Sequence, residues 1–279
     1  MSYALRLFGT RAFRAAPIAT TARAVSWLGH VAMGREGRYS DAERGFVMLL
    51  PPRLKAAGST GVYIQRRYYE PGFEYLHKLL GPGDVMLDCG ANLGLYALAS
   101  AGIVGPRGRI VAVEPLPHCA RTLARSATES GFANLTVCEA AISDTEGTAE
   151  LDISTGDTSA SIVHRRAGEG QRTLTVDTVS LDGLVRRQGL DRVDLVKLDV
   201  EGAEDLALTG GQQLLERDRP TIVIEVWNPA APTIRRSEDI LRAAGYGFYR
   251  FDRAGRLTAL PGLVEQDPTV VCIHGPVPH

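Results

Sequence analysis

A chain of 279 residues, 44% hydrophobic and 23% charged, has the material for one large α/β domain with an appended N-terminal segment. Its net charge of −1 offers no general attraction to nucleic acid, so a nucleic-acid partner is disfavoured. The cysteines, Cys89, Cys119, Cys138 and Cys272, form no Cys-x-x-Cys pair, which speaks against zinc and for reduced thiols in a cytoplasmic protein. Only Lys55, Lys78 and Lys197 are lysines among the 31 basic residues, a bias that reads as the codon usage of a GC-rich bacterial genome.

No acid precedes Glu36, while Arg6, Arg11, Arg14, Arg23 and Arg35 recur among apolar residues and Trp27. Arg23 interrupts the apolar stretch, which argues against a membrane-spanning helix, and no clean apolar region supports a signal peptide. Two readings stay open: a helical cap or arm on the domain, or a basic amphipathic helix in peripheral contact with an anionic membrane. From Arg38 to Leu80 the sequence reads as short helices and turns, broken at Pro51-Pro52 and Gly58. Tyr63, Tyr68, Tyr69, Phe73 and Tyr75 concentrate aromatics just before the first core strand.

The run Val85-Met86-Leu87-Asp88-Cys89-Gly90-Ala91-Asn92-Leu93-Gly94 describes a parallel strand, a tight glycine turn and a helix start. Gly90 and Gly94 are expected where a ligand approaches the backbone too closely for a Cβ. Glu114 follows Asp88 by 26 residues, the length of a helix plus the second strand of a βαβ unit. Both carboxylates should therefore line one crevice. A dinucleotide fingerprint would read Gly-x-Gly-x-x-Gly, and a carboxylate at Asp88 would repel a pyrophosphate. A cationic nucleoside fits better. S-adenosylmethionine meets both demands, its ammonium suiting Asp88 and its ribose hydroxyls suiting Glu114.

Further strands are expected near 109–114 and 135–139, with helices near 92–103 and 117–130. Residues 145–180 alternate polar and apolar, which predicts an added antiparallel insertion with a polar tip carrying His164, Arg165 and Arg166. A fourth strand runs from Val193 to Leu198 and ends at Asp199, and a fifth, Thr221 to Val226, contains Glu225. A helix near 233–244 and strands near 246–251 and 269–273 close the chain.

Several segments in order resemble the FkbM family of S-adenosylmethionine-dependent methyltransferases, over roughly residues 60 to 275. They are Gly61-Val62-Tyr63 through Glu70-Pro71-Gly72, Asp88 through Gly94, Val113-Glu114-Pro115 and Ala141-Ile142-Ser143-Asp144. Thr178 through Asp182, Asp194 through Glu204 and Arg219 through Glu225 follow. The stretch Lys197-Leu198-Asp199-Val200-Glu201-Gly202-Ala203-Glu204 is the most specific. The resemblance implies a class I, Rossmann-like α/β fold. Its sheet has seven mostly parallel strands with the last antiparallel, and helices on both faces. A helical segment 1–80 would cover the cofactor crevice, and a methyltransferase domain 81–279 would carry the insertion. The cofactor-binding set is then Asp88, Gly90, Asn92, Gly94, Glu114 and Asp144. Asp144 is placed to accept from the adenine amino group, against the alternative of an Asx-turn. Tyr63 or Tyr69 would touch the substrate.

For methyl transfer to a hydroxyl of a sugar, polyketide or glycolipid, an acid at the end of the fourth or fifth strand would take the proton. Asp199 and Glu201 come first, Glu225 second and His164 third. Lys197 shares the side of its strand taken by Asp199 and would pair with it or orient the acceptor. Glu204 reads as a first-turn acid favoured by the helix dipole. Asp199, Glu225 and Asn228 also offer oxygen ligands to a divalent metal, which the resemblance does not require. The rivals are a nicotinamide-dependent oxidoreductase and a cofactor-binding module without chemistry.

Overall fold

The computed structural model describes residues 9–54, 58–153, 161–162, 172–226, 231–252, 254–263 and 269–275. Two helices come first, α1 (Arg11–Ala15) and α2 (Pro17–Ala32). Thr10 caps α1 by accepting from the Phe13 amide, and Pro17 starts α2 where a missing N–H costs nothing. The start of the stretch from Arg38, expected as short helices and turns, instead belongs to an antiparallel hairpin of β1 (Gly37–Asp41) and β2 (Phe46–Leu50). Its outer edge is satisfied from far along the chain. The Val47 and Leu49 amides donate to the Ser130 and Ser126 hydroxyls at 2.9 and 3.0 Å. The expected short helices follow as α3 (Ser59–Gln65), two 3₁₀ turns and α4 (Leu76–Leu79).

Next come β3 (Val85–Cys89), α5 (Leu95–Val104), β4 (Arg109–Val113), α6 (Pro117–Glu129) and β5 (Leu135–Cys138). The insertion is a separate four-stranded sheet of β6 (Ala141–Ile142), β7 (Gly147–Asp152), β8 (Ser161–Ile162) and β9 (Thr173–Val179). The second half adds α7 (Leu181–Gln188), β10 (Leu195–Leu198), α8 (Glu204–Thr209), α9 (Gln212–Arg217) and β11 (Thr221–Glu225). The chain then runs through α10 (Pro232–Ala243), β12 (Tyr246–Phe251), β13 (Leu257–Leu260) and β14 (Thr269–His274).

The main sheet has the order β13-β12-β14-β11-β10-β3-β4-β5. The strands β5, β4, β3, β10 and β11 are parallel, and β14 runs antiparallel to both β11 and β12. This is the expected class I methyltransferase sheet with one unforeseen strand, β13, added at its edge. The run Leu257–Leu260 has only four residues, too few to show a strand period, which is why its pairing with β12 is not legible in the sequence.

Side-chain alternation decides what each face receives. Met86, Ile110, Ala112, Leu195 and Val223 belong to the core shared with α5, α6 and the N-terminal segment. Leu87, Val111, Val196, Leu198, Ile222 and Ile224 pack on the opposite face, against α7 to α10. By the same alternation Asp88, Lys197 and Glu225 fall on the face that carries α5 and the N-terminal segment. The chain order reverses between β3 and β10, which opens the crevice at the carboxyl ends of these strands.

Candidate active site

The turn after β3 is held by its neighbours on both sides. The Gly90 and Ala91 amides both donate to the Val113 carbonyl, at 2.9 and 3.0 Å. Gly90 has φ of +78°, and a Cβ there would stand 1.8 Å from the Asp199 carbonyl oxygen. At Gly94, with φ of +88°, a Cβ would meet Leu123 Cδ1 at 2.0 Å. The two glycines therefore clear room for the protein's own close packing, and both also line the cavities described below. They let the β10 loop and α6 close onto the turn.

Glu114 follows β4 and is buried. Its Oε2 accepts from the Asn92 amide at 2.7 Å and its Oε1 from the Leu116 amide at 2.9 Å. Burial pushes its carboxyl up to about 7 against the pull of those two bonds. Each oxygen keeps a lone pair for a diol. Asn92, at φ of +52°, has a buried Oδ1 with no partner among the described residues. Together with Gly90, Leu116, Ala141, Ile142 and Leu151, these residues line a cavity of about 80 Å³.

A second cavity of about 370 Å³ lies beside it, under the N-terminal segment. Its walls are Met48, Gly58, Val62 and Tyr69 on one side and the start of α5 on another. Its floor is charged: Glu70, Lys197, Asp199, Glu201 and Glu225. Register explains the floor, because Lys197 lies directly beside Asp88 on β3. Lys197 Nζ donates to Asp199 Oδ2 at 3.1 Å, stands 3.9 Å from Asp88 Oδ1 and lies 4.8 Å from the centre of the Tyr96 ring. Burial alone would lower its ammonium, but Asp199 and Asp88 outweigh it and hold its pKa above the ordinary range. Burial, then the adjacent Asp199, pushes the Glu225 carboxyl well up. Burial and Asp199 likewise bring Glu201 up to about 7. Asp199, Glu201, Asn92 and Gly90 line both cavities, so the two spaces meet at these residues.

Residues 88–248, more than half of the chain, match the family model described as the Methyltransferase FkbM domain. The chain belongs to that family. It is accordingly an S-adenosylmethionine-dependent methyltransferase. Methyltransferase sdnD of Sordaria araneosa is 28% identical over 61% of this chain and 75% of its own. The 2-O-methyltransferase NoeI of Sinorhizobium fredii is 31% identical over 66% of this chain and 79% of its own. A crystal structure of methyltransferase FkbM from Methylobacillus flagellatus superposes with a TM-score of 0.44 and 16% identity, covering 90% of this chain and 59% of that one.

In this FkbM methyltransferase the candidates read from sequence fall in different places. Asp199, Glu201, Lys197 and Glu225 come together on the floor of the larger cavity. Gly90, Asn92 and Glu114 line the smaller one, and Gly94 the larger. Asp88 lines neither cavity; it is buried, faces the Lys197 ammonium, and is brought up to about 6 mainly by desolvation. Asp144 is also outside both linings, exposed, and accepts from the Ser143 and Thr145 hydroxyls at 3.1 and 3.4 Å. Glu204 accepts from the Gly202 amide at 3.1 Å, as a first-turn acid does.

Of the two tyrosines, Tyr69 lines the larger cavity, while Tyr63 packs against Trp27 with ring centres 4.8 Å apart. Tyr69 is seated on glycine: a Cβ at Gly61 would lie 2.1 Å from its ring. Glu70 was not singled out from the sequence as a site residue. Its signal was the Glu-Pro-Gly turn after the aromatic run, which breaks the chain beside the crevice. Burial, offset in part by Lys197, raises its carboxyl. His164 and Asn228 lie outside the described residues. Among the described residues no group of three His, Cys, Asp or Glu side chains is arranged to hold a metal ion.

Proposed function

We propose that this methyltransferase moves a methyl group from S-adenosylmethionine to a hydroxyl of a small molecule, a sugar, polyketide or glycolipid. The observation that carries the proposal is that Asp199 lines both cavities, the narrow one beside Glu114 and the wider one. The residues present fit the cofactor. Glu114 would take the ribose diol on its remaining lone pairs, and Ala141, Ile142 and Leu151 offer apolar contact to the base. Asn92 Oδ1, buried with no partner among the described residues, would accept from the ammonium, the role that the sequence suggests for Asp88. When bound, the cofactor supplies a methyl group on a cationic sulfur.

The chain's own part is placement and proton removal. Asp199 would take the proton of a hydroxyl held in the wider cavity, whose oxygen would accept the methyl group while the cofactor's sulfur would keep the bonding pair. Lys197 holds Asp199 in place through a 3.1 Å bond. Glu225 and Glu201, with raised pKa values, would hold protons and donate to the acceptor's other oxygens. A polyhydroxyl acceptor suits such a floor, and the name 2-O-methyltransferase carried by NoeI points the same way. None of Cys89, Cys119, Cys138 and Cys272 is in a disulfide, which suits a cytoplasmic setting.

Asp199→Asn tests the assignment. Asparagine can still accept from Lys197, so binding of S-adenosylhomocysteine by calorimetry should persist. Turnover with labelled cofactor should fall about 10²–10⁴-fold, the usual contribution of a positioned base. Unchanged turnover would remove Asp199 from the role.

A further inference from the structure

We infer that the outer face of α2 is a docking surface for an anionic lipid bilayer. The helix is inverted with respect to an ordinary surface helix. Its one Lys, Arg, Asp or Glu side chain, Arg23, turns inward, where Nε donates to the Ile64 carbonyl at 2.8 Å and Nη2 to Thr20 Oγ1 at 2.9 Å. Trp27 also faces inward and donates to Thr60 Oγ1 at 2.8 Å. The outward side is left to Ile18, Val25, Leu28 and, at the C-terminal cap, Met33, which are 86%, 65%, 57% and 59% exposed. Thr21 and Ala32 complete the stripe without a charge. Such an uncharged apolar face costs free energy in water, which a partner that covers it would recover.

Charge and area together select the partner. Exposed Arg14 and Arg35 flank the two ends of the stripe and have no acidic partner among the described residues. No acid occurs before Glu36, and Glu36 itself is held by Arg125 at 2.9 Å. The segment is thus basic on a protein whose net charge is −1. A 16-residue helix is about 24 Å long, so its face about 10 Å wide offers roughly 240 Å². A stable dimer needs about 800 Å² per partner, whereas shallow insertion of one apolar face beside arginines is how an interfacial helix binds anionic lipid. No helix among the described residues is long and apolar enough to cross a membrane, so the contact is peripheral.

The surface sits one helix away from the acceptor cavity: Trp27 bonds Thr60 of α3, and Val62 of α3 lines the cavity. That placement favours an acceptor presented at the lipid surface, a consequence that rests on the methyl-transfer reading. The binding test needs neither cofactor nor acceptor. The full chain is sedimented with vesicles of phosphatidylcholine alone and with about 30% phosphatidylglycerol, at low and high salt.

The wild type should co-sediment with the anionic vesicles, several-fold less with the neutral ones, and less at high salt. Val25→Asp/Leu28→Asp should weaken binding about tenfold or more with the circular dichroism unchanged. Arg14→Ala/Arg35→Ala, which replaces two exposed side chains, should weaken it and flatten its salt dependence. A wild type that stays in the supernatant, or variants that sediment like it, would overturn the proposal. So would a dimer seen by light scattering that the aspartate variant abolishes while vesicle binding is absent.

Discussion

At Gly90, the turn after β3 meets the backbone of the loop that carries Asp199. Alanine there must adopt φ near +78° and push away the Asp199 carbonyl oxygen, only 1.8 Å from the new Cβ. Neither the β3 turn nor the β10 loop can give way without moving the other, since the Asp199 amide also donates to the Cys89 carbonyl at 3.1 Å. Gly90→Ala should therefore cost about 1–3 kcal/mol in urea denaturation. It should also cut S-adenosylhomocysteine affinity, because the same shift displaces Asn92 and Glu114. A variant as stable and as tight as the wild type would show that the loops are softer than described. In the sequence this glycine stands out as a place where a Cβ is excluded. A Gly-x-x-x-Gly turn says that a Cβ is excluded, and only the folded neighbours say by what.

Among the elements, the N-terminal helices act through α3. Trp27 is buried against Tyr63 and bonded to Thr60, and a Cβ on Gly37 would strike its ring at 2.7 Å. Trp27→Ala should destabilise the fold by about 3–5 kcal/mol, the range for deleting a buried tryptophan. Because α3 carries Val62 into the wider cavity and none of the narrower one, KM for the acceptor should rise more than the cofactor Kd. Equal loss of both, measured by steady-state kinetics and calorimetry, would count against this division. The β1–β2 hairpin escaped the sequence reading because its partners, Ser126 and Ser130, lie some 80 residues further on. The parallel strands were legible because each is a short apolar run buried on both faces.

Over the whole molecule, the crevice stores carboxyl groups that folding has made hard to ionise. Asp88 is raised from 3.8 to about 6, and Glu114 and Glu201 from 4.5 to about 7, each chiefly by burial. The sign follows from proton counting. Between pH 4.5 and 7 the native state holds protons that the unfolded chain has released, so its stability falls as pH rises through that window. For Glu114 alone the shift corresponds to on the order of 3 kcal/mol, lost progressively by about pH 7 to 8. Cofactor-free protein should thus have a lower urea midpoint at pH 8 than at pH 5.5, and Glu114→Gln should reduce that difference. A midpoint that is flat or rising with pH would contradict the assignment of burial as the dominant cause.

The chain by itself determined the strand ends and the glycine turn. It also determined the order of acids, because local periodicity and steric exclusion are written in neighbouring residues. Tertiary structure alone decided that Asp88 would face Lys197 while Asn92 and Glu114 met the narrower cavity, and that a hairpin and α3 would wall in the wider one. Those outcomes depend on strand register and on contacts between residues far apart in sequence, and pairing across a sheet leaves no mark in the local pattern of either strand.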